Sequence, residues 1–140
     1  MTTLISLALW LAAAGQAMLL VVSFQVPAKL QWRTQLARLD AANRKLYVVS
    51  AGYIVFTYLA FAVLTATLHD RFVRGEATAI GLSVFIGLYW LIRVAVVDRI
   101  FGNDPWPAGR RFVVARIVLE SAFAALAITY LGTAIWHLTR

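Results

Sequence analysis

The chain has 140 residues, of which 62% are hydrophobic and 14% charged, and its mean hydropathy is +0.80. Soluble domains carry about 25% charged residues, so this composition excludes an ordinary water-soluble domain, and the length is too short for two. The absence of cysteine excludes disulfides, zinc–thiolate sites, iron–sulfur clusters and thiol nucleophiles. The formal charge of +7 lies between apolar runs rather than on an aromatic-interleaved face, which argues against nucleic acid as a partner.

The first apolar run, residues 4–26, is long enough for one crossing at about 20 residues. A signal peptide is the competing reading, because Ala12 to Ala17 has the composition of a cleavage region. No basic stretch precedes the apolar core, however, so a retained span is expected. Gln16, near the middle of the run, needs a hydrogen-bond partner on a neighbouring helix, and Ala8, Ala12 and Gly15 offer a small-residue stripe for close approach. Pro27 is expected to end the span.

In the segment that follows, Trp32, Leu36 and Leu39 share one helical face while Lys29, Arg33, Arg38 and Arg44 lie off it. That sidedness predicts a short interfacial amphipathic helix over about 28–43, resting on a leaflet of anionic lipids; a solvated loop is the alternative. Asn43 is placed to cap a second span, 46–68, which carries Tyr47, Tyr53 and Tyr58 together with the hydroxyls of Ser50, Thr57 and Thr65. The brief connection from His69 to Glu76 makes the third span, 77–97, an antiparallel neighbour of the second. In the third span, Ala77 with Gly81 and Ser83 with Gly87 are small-xxx-small pairs. Two prolines and two glycines in 98–111 predict a compact turn, with Trp106 at the membrane surface.

The fourth span, 112–136, contains an acid. Glu120 lies roughly 12 Å inside the span at a rise of 1.5 Å per residue, with Arg116 one turn earlier on the same face. A carboxylate facing hydrocarbon is costly unless it is paired, protonated or turned inward. Arg93, near the end of the third span, is expected to reach Glu120 across an antiparallel pair, with Tyr89 or Trp90 covering the ions by cation–π contact. Such a site fits a proton acceptor, an anion counter-charge or a gate; equally, it fits an ion pair that fixes helix register.

Weaker constellations remain. His69, Asp70, Glu76 and His137 offer imidazoles and carboxylates for zinc or copper, though without HExxH or comparable spacing. Trp32, Lys29, Arg33, Arg38, Trp106 and Trp136 are expected at the lipid interface. Gln16, Ser50, Thr57, Ser83, Ser121 and Thr129 would be interhelical glue, or a pathway if they line one cavity. No phosphate loop, nucleophile elbow or catalytic acid pair is present, and no cofactor is expected.

Counting Lys and Arg gives five in the first connection and three in the third, against none, two and one on the opposite side. The positive-inside rule then puts both termini outside the cytoplasm, in a bacterial inner membrane. The expected fold is all-α: one integral membrane domain over 1–140, built as an up-and-down bundle of four transmembrane helices. A bundle this small encloses little volume. The expected role is association, as a non-catalytic subunit of a membrane complex or as a homo-oligomer. A channel or transporter using Glu120, Arg93 and Arg116 is the alternative, followed by a membrane enzyme or metal-binding protein using His69 and His137.

Overall fold

The computed structural model describes residues 2–101 and 109–140, with the side chains of Val97, Asp98 and Phe101 excepted. The described residues form six helices and no strand: α1 (Thr2–Lys29), α2 (Trp32–Leu36), α3 (Ala41–Thr67), α4 (His69–Arg74), α5 (Ala77–Phe101) and α6 (Arg110–Leu138). Four of them, α1, α3, α5 and α6, are long and apolar enough to cross a membrane, with mean hydropathies of 1.9 to 2.1 over their most apolar windows. All four exceed the roughly 20 residues that a hydrocarbon core of about 30 Å demands.

The helix ends differ from the expected ones for local reasons. α1 continues through Pro27 to Lys29. A proline removes only its own N–H, and near a helix end this costs a single ladder bond; the ladder resumes where the Leu30 N–H donates to the Val26 carbonyl at 2.9 Å. The helix stops instead at Gln31, whose φ of 52° is left-handed. Hence the expected amphipathic helix over 28–43 is not one helix. Residues 28 and 29 close α1, 41–43 open α3, and between them stands the five-residue α2, enclosed between Gln31 and Asp40.

Asp40, not Asn43, caps α3. Its Oδ1 accepts the N–H groups of Ala42 at 3.0 Å and Asn43 at 2.9 Å, and the Asn43 amide donates to Oδ2. Two helix-start donors are thereby satisfied, so α3 begins at Ala41 rather than Leu46. α5 runs to Phe101, past the expected end at 97, and the first residues of the expected third turn are therefore helical. The rest of that turn, with Trp106, lies outside the described residues.

The chain divides into two compact units, Met1–Leu9 with Leu68–Arg140, and Trp10–Thr67. In the first, α5 and α6 pack antiparallel. The Ser83 hydroxyl donates to the Tyr130 carbonyl at 2.8 Å, and Trp90 stacks on Phe123 at 5.2 Å and 16°. Phe72 of α4 meets Tyr130 edge-on at 6.3 Å. Ile86, Trp90 and Tyr130 are fully buried there. The second unit holds Gln16, Tyr58, Phe61 and Thr65 buried, and sets Trp32 of α2 edge-on to Tyr47 of α3 at 5.0 Å. Ser83 thus bonds across helices, but other span hydroxyls bond within their own helix. Thr57 and Thr129 donate to carbonyls four residues back, on their own helices, at 2.8 and 2.9 Å. With no water inside an apolar span, the nearest acceptor is the helix itself.

Candidate functional site

The acid in the last helix has a basic partner, but not the one expected across the helix pair. Arg116 Nε donates to Glu120 Oε1 within α6, one turn apart. An i, i+4 spacing puts both side chains on one face, so the pair forms without help from another element. The side chains of Arg116 and Glu120 stay 28% and 35% exposed. Beside them Ile117, Ser121, Ala125 and Ile128 are exposed as well.

Arg93 makes no ion pair with Glu120. Its guanidinium lies over the Phe123 ring of α6, 5.4 Å from the centroid, and its Nε is buried without a hydrogen-bond partner among the described residues. Phe123, which was not singled out from sequence, thus takes the cation–π role expected of Tyr89 or Trp90. Those two contact each other at 5.2 Å and 90°, and Trp90 also stacks on Phe123. The reason is reach: in an antiparallel pair the ring stacked on Trp90 also stands under the residue one turn further along α5.

The titratable residues at the other end of this unit are brought near one another in pairs but not as a ligand set. His69 is buried; its Nε2 lies 3.2 Å from both the hydroxyl and the carbonyl oxygen of Ser6, and its Nδ1 lies 3.3 Å from Asp70. Glu76 is held by Arg74 at 2.9 Å and by Arg71 at 3.7 Å. The His137 ring is pressed against Gly75, where a Cβ would come within 2.3 Å of Nδ1. Among the described residues no three of His, Asp and Glu converge on one point.

Ser6, His69 and Asp70 stand in the order of a hydrolytic triad. The amides of Ser6 and Leu7 belong to the α1 ladder and are not free to hold a developing oxyanion beside Ser6. Ser6 carried no signal in the sequence.

Of the expected interface residues, Lys29 closes α1, Trp32 and Arg33 lie in α2, and Arg38 lies in the turn before Asp40. Trp136 is covered by the Arg140 guanidinium at 4.4 Å, with its indole N–H buried and lacking a partner among the described residues.

These features define a class: an all-helical chain with four helices fit to cross a bilayer, the last of which carries an internal ion pair. In comparison with known proteins, the chain matches no protein-family model, no curated protein and no solved structure.

Proposed function

We propose that this chain is a small polytopic membrane protein that acts by association, as a non-catalytic subunit of a membrane complex or as a homo-oligomer, and that α6 is its association helix. One observation carries this reading: the Arg116–Glu120 pair lies within an apolar span and remains about one-third exposed. Exposed Leu, Ile and Val need no partner in a bilayer, because lipid tails are as apolar as they are. A charged pair does, since each ion at the centre of a span costs about 2.5–3.5 kcal/mol on insertion scales. Protein laid against this face of α6 would remove that exposure, and the small side chains of Ser121 and Ala125 allow a helix to approach closely. Only 11% of the most apolar window of α6 is buried, against 28% for α5, which leaves this face open to a neighbour.

The four spans are read as an up-and-down bundle with the first and third connections in the cytoplasm, on the charge asymmetry of the connections. Native mass spectrometry of the chain in mild detergent, alone and with Glu120→Gln, tests the association. The wild-type chain is expected in an assembly larger than one copy, and the variant in a smaller one. An assembly that is the same with and without the carboxylate would remove the claim.

A further inference from the structure

A groove of about 320 Å³ runs between α2 and the start of α3, with Trp32, Arg33, Leu36 and Ala37 on one wall and Arg44 and Val48 on the other. Its two guanidiniums are exposed and are not ion-paired among the described residues. The acid nearest in sequence, Asp40, has its carboxylate committed to the N–H groups that begin α3. Five cations and one acid lie between Lys29 and Lys45. Two unneutralised guanidiniums over an apolar floor form a complement to a phosphate carrying hydrocarbon.

The apolar floor does not end at Val48. A second furrow, of about 390 Å³, lies further along α3 and is lined by Val49, Gly52, Tyr53 and Phe56. A Cβ placed on Gly52 would meet nothing within 4 Å. The furrow is therefore open space beside an apolar span. Trp32, fixed edge-on against Tyr47, marks the level at which an amphipathic ring rests between head groups and tails.

We propose that the α2–α3 groove is a binding site for an anionic phospholipid, with the phosphate between Arg33 and Arg44 and one acyl chain in the furrow at Gly52. The assignment rests on α3 lying in a membrane but not on any role of α6. Each arginine near an anionic lipid contributes about a fivefold preference, so the pair should favour phosphatidylglycerol over phosphatidylcholine by roughly 30-fold.

The test is native mass spectrometry of the full chain, purified in detergent and offered equal amounts of phosphatidylglycerol and phosphatidylcholine. The wild-type chain should retain phosphatidylglycerol selectively. Arg33→Gln/Arg44→Gln should lose most of that selectivity, and Lys29→Gln/Arg38→Gln, outside the groove, should keep it. Gly52→Leu, which fills the furrow without changing charge, should weaken retention of both lipids. A photoactivatable phosphatidylglycerol added to the wild-type chain should label the tryptic peptides Leu30–Arg33, Thr34–Arg38, Leu39–Arg44 and Leu46–Arg71, which carry the groove and furrow residues, a readout that does not depend on a variant folding. Equal retention of the two lipids by the wild-type chain overturns the site while leaving the membrane reading intact. Undiminished selectivity in Arg33→Gln/Arg44→Gln, or label confined to other peptides, overturns it too.

Discussion

Gly75 is held by two constraints at once. Its φ of +71° lies in the left-handed region, and the His137 ring occupies the space a side chain would need. The 75 N–H donates to Phe72 and the 76 N–H to Arg71, the paired bonds that close a helix on a left-handed glycine. Gly75→Ala should therefore destabilise the chain by about 1–3 kcal/mol from backbone strain alone, with a further cost from moving the imidazole. Thermal unfolding in detergent measures the sum. Adding His137→Ala should recover the second part and not the first; full recovery would mean the backbone is unstrained.

Asp40 gives a second test at this scale. The backbone N–H of Asn43, then its side-chain amide, and then the N–H of Ala42 hold the carboxyl below its ordinary value of 3.8. The folded chain thus binds this proton more weakly than the unfolded chain does. The cap is complete above pH 3.8 and is lost as the pH falls through the lowered folded value. The amide resonances of Ala42 and Asn43 in micelles should move together with a midpoint below 3.8, and a midpoint at or above it contradicts the cap.

Among the elements, the α5–α6 pair shows which small residues matter. A Cβ on Gly87 would stand 2.7 Å from Leu131 Cγ and 3.0 Å from its backbone nitrogen, whereas one on Gly81 would meet nothing within 4 Å. Gly87→Ala should push the helices apart at a cost of about 1–3 kcal/mol. Gly81→Ala should stay within about 0.5 kcal/mol of wild type or improve on it through helix propensity. Denaturant unfolding of the two variants separates them, and equal effects would show that the contact at Gly87 is not tight. Both glycines belong to small-xxx-small pairs in the sequence, and only the fold tells them apart.

The same contrast holds more widely. The four long helices were legible because about 20 consecutive apolar residues have no other stable use. Their ends were less so, because a terminal proline and a cap three residues upstream are decided by a few local hydrogen bonds. At the candidate site the pairing within one helix was legible and the pairing expected between helices was not. Arg116 needs only the helical repeat to reach Glu120, while the position of Arg93 depends on which ring α6 presents to it, and Phe123 intervened.

For the whole molecule, the charge asymmetry of the connections predicts a topology that labelling can read, and a chain without native cysteine suits it. A single cysteine at Thr34 should react with membrane-impermeant maleimide only after cells are opened, and one at Thr139 should react in intact cells. The reverse pattern would invert the bundle. The central claim concerns the face of α6 beside Glu120, and a photo-crosslinking residue in place of Ser121, activated in intact membranes, addresses it most directly. If α6 is an association helix, the crosslinker should join the chain to protein, either a second copy or a partner subunit, and Glu120→Gln should reduce that product. Adducts with lipid alone, or the same protein adduct in equal yield without the carboxylate, would show that the Arg116–Glu120 pair recruits nothing.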